Sequence, residues 1–275
     1  MASEGLQGHR ARKRFGQNFL HDRHWIERIA KAVNATEGDD IVEIGPGQAA
    51  LTRELIAGAG KVRAVEIDRD LAAWLKETFS ESLSLIEADA LTLNWTQVAK
   101  NDNLRVVGNL PYNISSPLLF KLLEAADHVK DQHFMLQKEV VDRMVAQHGS
   151  KTYGRLSVML QWRYRMQKLF DVPPGAFNPP PKVMSSVVRM IPKAKEEVPS
   201  VDFELFSSVV ANAFSQRRKT IRNALSALLS AEEIAACDVD PGARAEALPL
   251  DAFVRLAQKA EALGRKAVTP GTTVD

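Results

Sequence analysis

The sequence predicts an α/β fold, a mostly parallel sheet with helices on both faces, followed by a small all-helical domain. Three observations carry that expectation. Short apolar, β-branched runs recur along the chain, amphipathic stretches of helical spacing separate them, and beyond a charged, proline-bounded segment the strand signals cease. Strands joined through helices run parallel, because a tight hairpin can only return the chain antiparallel.

The strand signals are Ile41 to Ile44, Val62 to Ile67, Leu83 to Ile86, Leu104 to Val107 and Phe134 to Leu136. "LSVMLQWRYRMQKLF" (Leu156 to Phe170) and "SSVVRMIP" (Ser185 to Pro192) also read as strands, and with no strong helix between them they are expected to pair antiparallel at one edge. "PKAKEEVPS" (Pro192 to Ser200) has the prolines and charge run of a linker and sets the domains at 1–193 and 194–275. After it, "DFELFSSVVANAF", "RRKTIRNALSALL" and "PLDAFVRLAQKAEAL" show apolar residues at helical spacing, and "GRKAVTPGTTVD" reads as a loose tail.

The chain has 275 residues, 45% hydrophobic and 25% charged, enough for a sizeable core and unlike a repeat array or a disordered protein. Its net charge of +2 says little about partners, so the distribution of charge matters more. The single cysteine, Cys237, excludes an intramolecular disulfide and a cysteine-rich metal site. No secretion signal stands at the start and no apolar run reaches membrane-spanning length, so a cytoplasmic protein with no membrane contact is expected. His21 and His24 lack further ligands, and no metal site is expected. Trp25, Trp74 and Trp95 are expected to pack in the core, and Cys237 reads as structural.

Chemistry concentrates where the strands end. "IVEIGPGQAALT" is an apolar run, then Gly45-Pro46-Gly47, then a helix starting near Ala49; glycines there let the backbone turn sharply beside a ligand at the carboxyl end of a strand. Glu66 ends the next strand about 20 residues on, where a carboxylate accepts hydrogen bonds from both ribose hydroxyls of a nucleoside cofactor. Asp89 in "LIEADAL" ends the third strand, placed to meet an adenine edge. NAD and S-adenosylmethionine both contain adenosine, and these three strand ends leave both open.

The fourth strand end decides between them. "LRVVGNLPYNISSP" puts an amide, a proline and an aromatic ring directly after an apolar run. The exocyclic amine of adenine is a poor nucleophile because its lone pair is delocalised into the ring; two fixed acceptors that bind both N–H groups help to localise it. Asn109 offers a side-chain carbonyl, Leu110, held rigid before Pro111, offers a backbone carbonyl, and Tyr112 offers a face for the base to stack on. A methyl on a positively charged sulfur needs chiefly in-line placement, so orientation supplies much of the acceleration and no strong general base is required.

"FGQNFL", "EIGPGQAALT", "EIDRDL", "EADAL", "NLPYNISSPLL", "MLQKEVVDRM", "YGRLSVMLQ", "VPPGAFNPPPKVMSSVVR" and "FSQRRKTIRNAL" follow one another as in the ribosomal RNA adenine dimethyltransferases of the KsgA type. The chain resembles that family from about Arg12 to Leu263. The resemblance implies a Rossmann-like S-adenosylmethionine-dependent methyltransferase domain, a helical C-terminal RNA-binding domain, and dimethylation of two adjacent adenosines in the 3′-terminal hairpin of small-subunit rRNA in assembling pre-30S particles. It implies that Asn18 and Leu20 close over the cofactor, Gly45 and Gly47 lie against its methionine part, Glu66 holds the ribose, Asp89 binds the cofactor adenine and Asn109 meets both cofactor and target. Phe177 is implied as a second aromatic around the target, opposite Tyr112. Ala49 departs from the pattern, since many relatives have a third glycine there; alanine is small enough for helix packing.

Between Arg143 and Lys195 ten lysines and arginines face one acid, Asp171, interleaved with Tyr153, Trp162, Tyr164, Phe170 and Phe177, a mixture suited to phosphates and unstacked bases. Arg217, Arg218, Lys219 and Arg222 form a second cluster, expected at the start of a helix, and "HRARKR" (His9 to Arg14) a third. Three such clusters with one adenine pocket favour RNA, whose target base must be unpaired or flipped. The expected protein is a monomer. The rival readings are a 23S rRNA or DNA adenine methyltransferase, a non-catalytic ribosome assembly factor, and an NAD-dependent dehydrogenase, which lacks a convincing proton donor near the later strands.

Overall fold

The computed structural model describes residue 6 and residues 16–270. The basic segment 9–14 lies outside the described residues. The chain divides into two compact units, one built from residues up to Val141 together with Arg165–Pro192, the other from Asp142–Tyr164 and from Lys193 onward. A single break near residue 193 therefore misses two earlier crossings.

In the first unit, strands β2 (Ile41–Ile44), β3 (Val62–Glu66), β4 (Leu83–Glu87), β5 (Leu104–Asn109), β6 (Val129–Gln137), β7 (Tyr164–Val172) and β9 (Ser185–Pro192) form a sheet in the order β4-β3-β2-β5-β6-β9-β7. β2 pairs in parallel with β3 and β5, β3 with β4, and β5 with β6, while β9 runs antiparallel to β6. The chain winds outward from β2 to β4 on one side and from β5 onward on the other. The order reverses between β2 and β5, and a crevice opens at their carboxyl ends. A separate two-stranded ladder pairs β1 (Phe19–Leu20) with β8 (Phe177–Asn178).

Helices α1 (Arg23–Val33), α2 (Ala50–Ala59), α3 (Arg69–Thr78), the short α4 (Trp95–Val98) and α5 (Ser115–Leu122) connect the strands. α1 starts because the Asp22 side chain accepts the His24 N–H, and it ends where Asn34 turns left-handed at φ 51°. Its apolar stripe, Ile26, Ile29 and Val33, packs into a core with Ile41, Leu55, Ala64, Val107 and Met135; Trp25 and Trp74 lean on that core at its edge, and Trp95 is fully buried. Beneath α1, Arg105 donates to Asp131 at 2.9 Å, to Asp39 at 2.6 Å and to the Val33 carbonyl at 2.6 Å. One buried guanidinium thus neutralises two carboxylates and satisfies an end carbonyl of a helix.

α6 (Lys138–Met144) runs across the first crossing. In the second unit, α7 (Arg155–Arg163), α8 (Phe203–Ser215), α9 (Ile221–Ala224), α10 (Ala231–Ala235) and α11 (Leu250–Ala262) make a helical bundle. Trp162 packs on Phe203 and Phe206, and Phe214 on Tyr153 and Phe253. Residues 156–163, expected to belong to a strand, are part of helix α7. Leu156, Ser157, Val158, Met159, Leu160 and Arg163 are all buried, so the segment is covered around most of its circumference, and its sequence lacks the polar face that would mark a helix. The strand signal holds only from Tyr164. The tail is also less loose than expected as far as Val268, whose backbone exchanges hydrogen bonds with Ser208 and whose carbonyl accepts from Asn212.

Among the described residues no helix is long and apolar enough to cross a membrane, and no cluster of three or more His, Cys, Asp or Glu could hold a metal ion.

Candidate active site

Four strand ends converge on a cavity of about 320 Å³ in the first unit. Asn18, Leu20, Gly45, Gly47, Glu66, Asp89, Asn109, Leu110 and Tyr112 all line it. Its size and concavity suit a nucleoside-sized ligand.

The turn after β2 works because of its glycines. Gly47 has φ +55°, and a Cβ there would come within 3.0 Å of the Phe19 ring, so only glycine lets β1 lie against the turn. At the end of β5, a Cβ on Gly108 would come within 2.7 Å of the Ile44 carbonyl, so glycine is what allows β2 and β5 to approach at the crevice. Ala49 adopts φ +61° at the start of α2. That conformation costs an L-residue about 1 kcal/mol, so the departure from glycine is felt in the backbone rather than in helix packing.

Glu66 is buried, and its two oxygens accept from the Asp68 N–H at 2.9 Å and the Gly47 N–H at 3.3 Å. Burial raises its pKa, and the two backbone donors pull against that shift. The carboxylate is therefore fixed before a ligand arrives, and each oxygen keeps a lone pair for a hydroxyl. Asp89 is held similarly, one oxygen accepting the Leu91 N–H at 2.9 Å.

Asn109 Nδ2 donates to the Asn18 carbonyl at 3.1 Å. That bond orients the amide and leaves Oδ1 as the acceptor. Leu110 donates its N–H to Met135, and the following turn is closed by Ile114 N–H and Ser115 Oγ on the Pro111 carbonyl. Tyr112 presents a half-buried ring whose hydroxyl lies 2.7 Å from Ser185 Oγ. Burial raises the pKa of this phenol, which keeps it protonated and poorly suited to act as a base. An amide acceptor, a rigid carbonyl and a ring face side by side can grip an aromatic amine without removing its proton.

The segment Gly16–Leu20 forms one wall of the cavity. It is tied by Gln17 Nε2 to Asp68 at 3.1 Å, by the Asn18 carbonyl to Asn109, and by the ladder with β8.

Phe177 does not join the cavity wall. It is 2% exposed, pairs with Leu20 and packs in the core, so its ring is not presented as the expected second aromatic. The basic stretch from 143 to 195 is likewise no uniform RNA face. Arg163 is buried and donates to the Lys193 carbonyl, Lys193 reaches the Gln161 carbonyl, Lys168 pairs with Asp171, and Tyr153 and Tyr164 are buried. Apolar packing and carbonyl capping consume these side chains. Arg217, Arg218, Lys219 and Arg222 are all exposed. The first three occupy a turn between α8 and α9 rather than a helix start, because Gln216 turns extended and the Lys219 N–H closes on its carbonyl.

Sequence reading passed over two further wall residues, Glu43 and His133. Both are buried, and because each pairs in register with Val107 they share one face of the sheet. Burial pushes the Glu43 carboxyl up to about 7, aided by the Glu66 charge and opposed by the Thr52 hydroxyl. Burial pushes the His133 imidazole down to about 4, with Asp131 pulling the other way. Ionisable groups inside otherwise apolar strands were the available signal.

A Rossmann-like sheet carrying Gly-x-Gly, Glu, Asp and Asn-Leu-Pro-Tyr at successive strand ends defines a methyltransferase fold. The chain belongs to the ribosomal RNA adenine dimethylase family, whose sequence model matches residues 8–261. A relative in Thiobacillus denitrificans, named ribosomal RNA small subunit methyltransferase A, is 56% identical over 241 residues, 87% of this chain and 94% of its own. Among solved structures, a dimethyladenosine transferase from Plasmodium falciparum superposes with a TM-score of 0.79 at 25% identity, covering 91% of this chain and all of that one. The 23S rRNA methyltransferase ErmE superposes at 0.68 with 27% identity, covering 89% of this chain and all of that one.

Proposed function

We propose that the protein dimethylates the exocyclic amines of two adjacent adenosines in the 3′-terminal hairpin of 16S rRNA, using S-adenosylmethionine, during assembly of the small ribosomal subunit in the cytoplasm. The observation that carries the proposal is the Asn109 amide, oriented by the Asn18 carbonyl so that its oxygen accepts at the cavity. Identity favours the small-subunit substrate: 56% to a small-subunit methyltransferase against 27% to a 23S rRNA enzyme.

The residues fit the cofactor. Glu66, held by two backbone donors, would take the ribose hydroxyls; Asp89 would take the adenine amine; the Gly45–Gly47 turn would lie along the methionine part; Asn18 and Leu20 would cover it. The cofactor supplies an electrophilic methyl on a sulfonium. Asn109 Oδ1 and the Leu110 carbonyl accept the two N–H groups of the target adenine, and Tyr112 stacks on its face. With the amine held by these acceptors, its nitrogen would face the sulfonium methyl that the bound cofactor would supply, and the proton released at each transfer would pass to water. Holding the acceptors fixed lowers the reorganisation cost, which is how positioning accelerates the step. Arg217, Arg218, Lys219 and Arg222 are assigned to rRNA phosphates, and the protein acts as a monomer.

Mapping dimethyladenosine in small-subunit RNA from cells with and without the gene tests the reading. Two adjacent modified adenosines near the 3′ end should disappear with the gene; their persistence refutes it.

A further inference from the structure

Tyr112 sits in a turn whose backbone is tied before it by Leu110 and after it by Ile114 and Ser115. Ser115 Oγ reaches the carbonyls of Pro111 and Tyr112, and the Ile114 N–H reaches Pro111. None of these bonds touches the ring, which would otherwise choose among staggered wells about its first side-chain torsion. A restraint on the ring lies at its far tip, in the 2.7 Å contact between its hydroxyl and Ser185 Oγ.

Ser185 is well placed to act as an anchor. It is fully buried, begins β9, and pairs in register with Gln137 of β6. The residue before it is fixed as well, since the Lys138 N–H donates to the Met184 carbonyl. Ser185 shares a face of β9 with Val187, which lines the cavity two residues on. The turn after β5 carries the ring, but a strand from the far side of β6 holds its tip.

We infer that Ser185 is a positioning residue for methyl transfer, its hydroxyl holding the tip of the Tyr112 side chain and so fixing where the ring against which the target adenine stacks stands in the cavity. This rests on the reading of Tyr112 as the stacking surface. Tyr112 then acts through its face alone, and its hydroxyl matters only as the handle that Ser185 holds.

Methyl transfer to unmethylated small ribosomal subunits by Ser185→Ala, Tyr112→Phe and the double variant tests the inference. Loss of one net hydrogen bond at the ring should lower kcat about three- to tenfold in each single variant. KM for the subunits, the cofactor Kd and the melting temperature should stay near wild type. The double variant should lose no more than the worse single one, because both changes delete the same bond. Wild-type kcat in Ser185→Ala, or losses that multiply in the double variant, overturn the inference. If Ser185→Ala does not fold, Tyr112→Phe deletes the bond from its other end, and full kcat there overturns it equally. Tyr112→Ala separates the two levels: it removes the face itself and should cost well beyond tenfold. Full activity in Tyr112→Ala refutes the stacking role, whereas a large loss there with an unaffected Ser185→Ala refutes only the positioning role.

Discussion

The strand ends of the first unit and the basic turn of the second hold the side chains proposed to act there in opposite ways. Glu66, Asp89 and Asn109 are buried or half-buried, and each is fixed by a backbone partner. Arg217, Arg218, Lys219 and Arg222 are exposed, and Arg217 donates to the Lys151 carbonyl. Chemistry on a single amine needs atoms set within tenths of an ångström, whereas phosphate attraction needs only charge at roughly the right place. Preorganisation is spent at the strand ends, and the turn proposed to meet the polymer stays exposed.

The largest expected effect follows from that contrast. Asn109→Ala removes an oriented acceptor and should lower kcat by about 100- to 1,000-fold while rRNA binding stays within about twofold; an active variant breaks the acceptor mechanism. Glu66→Ala deletes two hydrogen bonds to a charged acceptor and should weaken S-adenosylmethionine binding by at least about 100-fold, read by calorimetry. An unchanged Kd refutes the ribose assignment.

The buried pair Glu43 and His133 sharpens the comparison, because only the first unit stores ionisable groups in its core beside the cavity. Glu43 is raised from 4.5 to about 7, so the folded state binds more protons than the unfolded one between those values. Its stabilisation is complete below about pH 4.5 and is lost as pH rises toward 7. His133 is lowered from 6.5 to about 4, so its contribution runs the other way, present above about pH 6.5 and lost as pH falls toward 4. The two slopes, each at most about 1.4 kcal/mol per pH unit, oppose one another through the shared window. Urea unfolding at about pH 5 and about pH 6.5 should therefore show stability rising more with pH, or falling less, in a Glu43→Gln variant than in the wild type; equal slopes in the two proteins refute the buried titration.

The smallest effect concerns the basic turn. Replacing Arg217, Arg218 and Lys219 with alanine should leave the cofactor Kd unchanged and reduce the salt slope of rRNA binding by up to about 2, at about 0.7 per phosphate contact. An unchanged slope means that this turn does not meet RNA.

What the sequence discloses follows the same division. Parallel strands and their ends were legible because apolar runs stop at Gly45, Glu66, Glu87 and Asn109, with Asp89 two residues past the third, and a residue at or just after a strand terminus has little choice of position. Helix α7 was not, because a helix buried on most sides carries no polar face to reveal its period. Charge counting also misled between 143 and 195, since it cannot tell an arginine facing water from Arg163, which is folded inward onto a carbonyl. Phe177 was assigned by motif, and motif does not report that this residue is buried within a ladder. Glu43 and His133 stood in plain view within strands and were passed over because their neighbours were read for hydrophobicity alone.

Arg105 draws these threads to one point. The strand beside it, the last turn of α1 and the loop bearing Asp39 all terminate on a single cation. Such a junction makes local fraying expensive, since loosening any one of the three exposes an uncompensated charge to the interior. Amide protons of the three segments should then exchange with solvent as one cooperative block, and the floor beneath the catalytic crevice opens all together or stays shut.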